Sequence, residues 1–146
     1  MNTVLQVAHY FLSFTDEEAG EFISNMKLQK LCYYAQGFHL ALTGKPLFPE
    51  SIEAWTHGPV IPALYRSYKG CGAGAILPNG GFDPSVFDKD TRALMDEVFE
   101  MYGQYSAGKL RNMTHEEAPW KDAYTQAPSS EISHQAMTDY FKTLLN

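Results

Sequence analysis

The stretch KLQKLCYYAQGFHLALTGKPLFPESIEAWTHGPVIPALYR, from Lys27 to Arg66, carries more information about the fold than the rest of this 146-residue chain. Its first part is apolar on more than one helical face, which is typical of a helix in the middle of a domain. Gly44 and Pro46 end that helix, because glycine favours the left-handed C-terminal position and proline cannot continue a helix. We therefore expect a buried helix from Met26 to about Thr43, followed by an extended segment, a turn and a second helix.

Further helices are predicted on both sides of this stretch from apolar residues that recur at helical spacing. The first covers about 3–14, with Thr3 as its N-cap. Gly37, inside the central helix, indicates close approach of another backbone, or else a ligand-facing groove, because glycine costs about 1 kcal/mol there relative to alanine. Asn25 is the predicted cap of the central helix, and Pro62 lies in the first turn of a predicted helix over 61–68. Another helix is predicted from near Asp90, and Ser106 and Ser133 are the predicted caps of two more.

Little regular β structure is expected. Residues 46–48 and 52–55 flank Pro49-Glu50 and predict a short, irregular hairpin. Residues 70–84 hold too many glycines and prolines for regular structure and predict a surface loop. The predicted fold class is therefore mainly α: a compact single-domain helical bundle around a central buried helix, with at most a small β hairpin, over residues 1–146.

Composition excludes several classes of protein. The formal net charge is -6, from 11 basic and 17 acidic side chains, which argues against nucleic-acid binding because such binding neutralises phosphates with Lys and Arg. No apolar run is long enough for a membrane helix, and the N-terminal segment lacks the features of a signal peptide. Cys32 and Cys71 fit no metal-binding spacing, so we expect reduced thiols in a cytoplasmic protein. Acidic residues cluster near 16–21 and 83–100, either as solvated faces or as a surface that steers a basic partner.

One motif resembles part of a zinc site. His115-Glu116 begins as in HExxH, but Pro119 stands where the second histidine is required, so no metal is expected. Thr114 and Glu117 instead have the spacing of a capping box at a helix start. His57 admits two interpretations: an exposed donor on a rigid turn, or a turn residue satisfied by backbone carbonyls. No sequence signature of an enzyme is present.

The segments Lys27–Leu42, Gly44–Phe48, Ile52–Trp55 and Gly58–Tyr65 together resemble the Panacea domain, the SocA-like antitoxin family. The heptapeptide THEEAPW, Thr114–Trp120, is similar to THEEGPW of that family. Alanine at this chain's position 118 replaces the usual glycine.

The resemblance implies a cytoplasmic antitoxin without a cofactor, which binds and neutralises a cognate toxin protein encoded next to it. A proteolytic adaptor that delivers the toxin to a protease is the alternative, and a homo-oligomer is possible. A small hydrolase using His57, His115 and Glu116, or a nucleic-acid-binding regulator, are further alternatives. The residues expected to bind the partner are Tyr34, Trp55, His57, Tyr65, Arg66, His115 and Glu116.

Overall fold

The computed structural model describes residues 1–15, 22–77 and 82–145, and helices dominate this part of the chain. Its α-helices are α1 (Val4–Leu12), α2 (Asn25–Thr43), α3 (Pro62–Tyr68), α4 (Lys89–Tyr102), α5 (Ala107–His115), α6 (Ala118–Gln126) and α7 (His134–Lys142). Its strands are β1 (Ile23–Ser24), β2 (Ile52–Trp55), β3 (Gly58–Val60), β4 (Ala75–Ile76) and β5 (Glu131–Ile132). Single 3₁₀ turns occur at Lys69–Cys71 and Pro84–Val86. The mainly α fold class is confirmed.

Helix α2 lies at the centre of the fold. It packs against α1, α3, α4, α5 and α7, and Leu28, Leu31 and Ala35 are completely buried. The predicted central helix is therefore confirmed. Gly44 ends it in the left-handed conformation, with φ at 76°, as its sequence position indicated.

Gly37 does mark a close approach, but of a ring rather than a backbone. A Cβ atom at this position would fall on the aromatic ring of Phe141, from α7. The predicted backbone contact was wrong because a phenylalanine fills the space that the missing side chain leaves. This contact lets α7 lie directly on α2.

Buried polar side chains of α2 hold the extended segment that follows it. The carbonyl oxygen Oε1 of Gln36 accepts a hydrogen bond from the backbone N–H of Leu47 at 2.7 Å, and its Nε2 donates to the Phe48 carbonyl at 2.8 Å. Oε1 of Gln29 accepts a hydrogen bond from the backbone N–H of Ile61, also at 2.8 Å. Since buried backbone groups must be paired, these two glutamines determine where segment 47–61 runs.

The small sheet differs from the predicted hairpin. Strand β2 pairs antiparallel with β3, with Trp55 opposite Gly58, and β5 pairs with the other edge of β2. The expected pairing of 46–48 with 52–55 was wrong, because Gln36 already occupies backbone groups in the first segment. The predicted loop 70–84 contains β4, which pairs with β1. Positions 78–81 of that loop and acidic residues 16–21 lie outside the described residues.

Most helix starts agree with the predicted caps. Thr3, Ser106 and Ser133 each accept a hydrogen bond from the backbone of the first turn of their helices, and Pro62 is the first residue of α3. Asn25 was the wrong cap for α2, because Ser24 accepts from the N–H of Lys27. Asn25 is already helical, and its side chain bonds Gln29 and the carbonyl of Tyr65 instead.

The expected capping box at 114–117 is also wrong. Thr114 lies in the last turn of α5, and its hydroxyl donates to the Arg111 carbonyl at 2.8 Å. Glu117 is the N-cap residue of α6 but makes no side-chain capping bond. The reason is tertiary: α5 begins at the Ser106 cap and runs through Thr114, while the Glu117 carboxyl group is held by two tyrosines of α2.

Within the described part of the chain, every helix is too short or too polar to cross a membrane. Both cysteine thiols are unpaired, Cys32 in the core and Cys71 at the surface. Burial raises the pKa of the Cys32 thiol, which makes it a poor nucleophile.

Candidate functional site

Residues from four elements meet around the loop between β2 and β3, where Thr56 and His57 connect the two strands. We call this surface the turn face. It consists of Trp55, Thr56, His57, Tyr65, Arg111, His115, Trp120 and Tyr124.

Side chains of α6 hold the loop of the turn face in place. The indole Nε1 of Trp120 donates to the Trp55 carbonyl at 2.7 Å, and the hydroxyl groups of Tyr124 and Thr56 lie 3.2 Å apart. His115, Trp120 and Tyr124 form a continuous stack, with ring centroids 4.0 and 4.7 Å apart. These contacts fix the position of the loop backbone relative to α5 and α6.

Lys30, whose side chain is completely buried, also holds this loop in place. Its Nζ donates to the Pro59 carbonyl at 3.2 Å and lies 3.0 Å from the sulfur of Met26. Burial, and secondarily the positive charge of Arg111, lowers the pKa of Lys30 to about 7. Glycine is required at position 58, because φ there is 112° and a Cβ atom would lie 2.6 Å from Cε of Lys30.

Arg111 contacts the exposed side of the loop. Its Nε donates to Nδ1 of His57 at 3.2 Å, and one terminal nitrogen donates to the side chain of Asn112 at the same distance. Because a guanidinium can only donate, Nδ1 of His57 must accept, and the neutral ring carries its proton on Nε2. Sequence reasoning missed Arg111, and no local motif could have found it, since its partner is 54 positions away.

His115 is half-buried against this loop. Burial lowers the pKa of its imidazole, and nearby Arg111 lowers it further, while a hydrogen bond with the Thr56 backbone acts in the opposite direction. The ring is therefore neutral at pH 7. Its Nε2 has no hydrogen-bond partner within 1–15, 22–77 and 82–145. In these ranges, no group of three or more His, Cys, Asp or Glu side chains is placed to hold a metal ion.

A shallow cavity of about 380 Å³ opens beside the loop. Trp55 and Tyr65 form its aromatic side, with their rings edge to face at 5.1 Å. The indole Nε1 of Trp55 donates to Glu53, so the indole orientation is fixed. The full lining is Met26, Trp55, Thr56, His57, Val60, Tyr65 and Ser129.

Four of the predicted partner-binding residues therefore come together, namely Trp55, His57, Tyr65 and His115. Arg66 is exposed on α3 directly after Tyr65, and Glu116 is exposed at the end of α5. Tyr34 lies elsewhere: it is completely buried, and its ring stacks on Tyr102 at 3.8 Å. We leave Tyr34 out of the candidate contact surface for this reason.

Tyr34 belongs to a buried cluster around Glu117, which sequence reasoning assigned to a cap. The hydroxyl groups of Tyr33 and Tyr34 donate to the two carboxyl oxygens of Glu117, at 3.0 and 2.7 Å. Burial raises the pKa of Glu117 to about 7, against the opposing effect of the two hydrogen bonds. The YY pair in the central helix is thus explained by the structural role of these two hydroxyl groups.

A second surface, which we call the apolar groove, lies between the C-terminal half of α2, α4 and the residues after α7. Its cavity is about 230 Å³. Leu42, Met101 and Leu144 are 58%, 53% and 41% exposed there. The remaining lining residues are Phe38, Leu94, Glu97, Val98, Tyr102 and Leu145.

Comparison with known proteins gives this fold its family. Residues 28–121 match the family described as Antitoxin SocA-like, Panacea domain. Antitoxin SocA from Caulobacter vibrioides (strain NA1000 / CB15N) is 31% identical over 122 residues, which is 75% of this chain and 64% of SocA. This chain thus aligns with less than two thirds of that relative's length, and no solved structure matches it. Because the family match covers α2 to α6 and more than half of the chain, this protein belongs to the SocA-like Panacea domain family.

Proposed function

We propose that this protein is an antitoxin that neutralises a partner toxin by stoichiometric protein–protein binding, without turnover and without a cofactor. Membership of the SocA-like Panacea domain family is the observation that carries this proposal. In this proposal the toxin is encoded by a neighbouring gene, and both proteins act in the cytoplasm.

The turn face is the surface we propose for toxin contact. Aromatic rings beside arginine are the composition that dominates binding energy at protein interfaces. The loop at its centre is already held by Lys30, Trp120 and Tyr124, so little conformational entropy would be lost when a partner binds. Arg66 and Glu116, both exposed, are the proposed contacts at the margin of this surface.

We further propose that residues 1–146 act as one unit. The family match begins within α2 and ends within α6, but α1 and α7 also pack on α2. Removal of either helix would expose side chains of the same core, including Phe11 and Phe141, which are completely buried. Binding should therefore require both flanking helices.

Hydrolysis has less support from the geometry of the turn face. A hydrolytic base needs a nucleophile or a water held within hydrogen-bond reach. His57 is instead bonded to Arg111, and His115 is stacked on Trp120. Among the described residues, Glu117 accepts hydrogen bonds from two tyrosine hydroxyl groups and makes none with either histidine.

The test is co-expression of this protein with each neighbouring gene, read as bacterial growth and as the molar ratio of any co-purified complex. An antitoxin restores growth and forms a complex of defined stoichiometry. Arg66→Glu should reduce rescue while the circular dichroism spectrum stays helical, because a reversed charge at a contact opposes binding. Lys142→Glu, an exposed charge reversal on α7, is the matched control and should rescue fully.

The toxin level separates direct neutralisation from adaptor action. Under direct binding, the toxin remains at full abundance in rescued cells. If the toxin disappears in wild-type cells and persists in a protease-deficient strain, the protein is an adaptor and direct neutralisation is wrong. Neighbouring genes that are all harmless, with no co-purifying protein, would reject the antitoxin proposal.

A further inference from the structure

We infer that the turn face receives an acidic side chain of the partner protein, which docks on Arg111 beside His57. This inference rests on the proposed function, because it names the chemistry that the toxin must present at the contact. It assigns the central role to Arg111, a residue outside the motifs that identified the family, rather than to the acidic surfaces of the chain.

Arg111 has N–H donors that its hydrogen bonds within the described residues leave unused. A guanidinium has five N–H donors in a planar fork. The hydrogen bonds of Arg111 to protein atoms in the described ranges use only Nε, to His57, and one terminal nitrogen, to Asn112. Neither acceptor carries negative charge. A carboxylate is the group that fills such a fork with two parallel hydrogen bonds.

Arg111 also gives this surface a local positive charge. Arg111 lies close enough to Lys30 and His115 for its positive charge to lower the pKa of both groups. In the described part of the chain, no carboxylate contributes to either shift. Arg111 thus places a positive charge on this surface of a protein whose net charge is -6. An anion placed there would be attracted by its guanidinium.

Packing against α5 holds Arg111 and His57 in place. A Cβ atom added at Gly58 would lie 2.6 Å from Cε of Lys30 and 2.9 Å from Oγ1 of Thr114, so the loop that carries His57 packs directly against α5. His57 accepts from Arg111 and thereby keeps the fork at the rim of the cavity lined by Trp55 and Tyr65. A partner can therefore place an acidic residue on Arg111 and a neighbouring side chain in the cavity.

A partner protein fits this site better than a nucleic acid. Nucleic-acid binding depends on many Lys and Arg contacts along a phosphate backbone. Here Arg111 offers one guanidinium, and the chain as a whole carries excess negative charge that repels phosphates. A single carboxylate needs only that guanidinium.

The site itself can be tested in the purified protein by NMR titration with sodium acetate, with sodium chloride at equal ionic strength as the control. We expect saturable shifts of the His57 ring and Arg111 Nε resonances with acetate, which are lost in Arg111→Gln. Uniform small shifts in both salts would overturn the inference. A response to inorganic phosphate and none to acetate would also overturn it, and would favour a phosphate-containing ligand.

The partner is tested with the toxin that the wild-type protein neutralises. Arg111→Glu should weaken the complex by about 30-fold or more, because it places like charges at the contact. Lys109→Glu makes the same charge change on another face of α5 and should have little effect. A Lys substitution at one Asp or Glu of the toxin should restore binding to Arg111→Glu and weaken binding to wild type.

The outcomes separate this inference from the proposed function. If the wild-type protein neutralises its toxin and Arg111→Glu does so equally well, the antitoxin role stands and the docking inference is wrong. If no neighbouring protein binds while acetate still shifts His57 and Arg111, the anion site stands and the antitoxin proposal fails. Loss of folding in Arg111→Glu is checked by thermal unfolding, and Arg111→Gln then provides the binding comparison.

Discussion

The turn face and the apolar groove are both exposed concave surfaces, but they are built in different ways. In the groove, the exposed walls are the flexible side chains Leu42, Met101 and Leu144. In the turn face, the loop backbone is bonded by Lys30 and Trp120, and its ring side chains are stacked or hydrogen-bonded. The groove offers apolar area, whereas the turn face offers donors in fixed positions, and fixed donors are what specific recognition requires.

The fixed loop of the turn face also lowers the stability of the protein, because it depends on a buried lysine. Lys30 is buried, and no negatively charged group among the described residues contributes to its pKa shift. A buried ammonium loses its hydration, which costs stability. The apolar groove contains no comparable buried charge among its lining residues, since Glu97 is exposed. We therefore expect substitutions beneath the turn face to change stability and binding together, and substitutions in the groove to change neither strongly.

The largest effect is expected at Gly58. Gly58→Ala should lower the free energy of unfolding by about 3 kcal/mol, because it combines an unfavourable positive φ with overlap between Cβ and Lys30. The control is Gly44→Ala, also at positive φ but with nothing within 4 Å of the added Cβ, which should cost only about 1 kcal/mol. Urea unfolding measures both. Equal losses would show that Lys30 does not restrict the loop.

The second effect is a pH dependence caused by Lys30. Its folded pKa of about 7 lies below its ordinary value of 10.5, so between these values the unfolded chain binds a proton that the folded chain has released. The free energy of unfolding should therefore rise with pH in this window, by about 2 kcal/mol from pH 7 to pH 9. Lys30→Met should remove this rise.

The control for that pH series is Lys142→Met, at an exposed position of α7, which should keep the wild-type slope. Glu117 does not interfere with this measurement. Its pKa is raised from 4.5 to about 7, so it lowers the free energy of unfolding as pH rises, mainly between these two values. A wild-type protein and a Lys30→Met variant with parallel stability curves from pH 7 to pH 9 would mean that Lys30 remains charged in the folded state.

The smallest effect is expected in the groove. Leu42→Glu and Met101→Glu should each change stability by less than about 0.5 kcal/mol, since both side chains are more than half exposed. Toxin binding should be unchanged in isothermal titration. If either variant abolished binding while Arg111→Glu did not, the contact surface would be the groove, and the comparison between the two surfaces would be reversed.

Some of the fold could be predicted because its signals act over a few residues. The central helix, its glycine end and the caps Thr3, Ser106 and Ser133 depend on contacts within one or two helical turns. Trp55, His57 and Tyr65 were selected from one contiguous motif, so their proximity follows largely from the hairpin and the helix after it.

Other features could not be predicted, because they depend on which buried polar group finds which partner. The burial of α2 follows from its sequence, since its apolar residues occupy more than one face. Packing between distant elements sets two other features: Gln36 bonds the backbone of residues 47–48, and Glu117 bonds two tyrosines instead of capping a helix. It also brought Arg111 to His57 across 54 positions. Helical periodicity is a local property, whereas the pairing of a buried polar atom is settled by packing between distant elements.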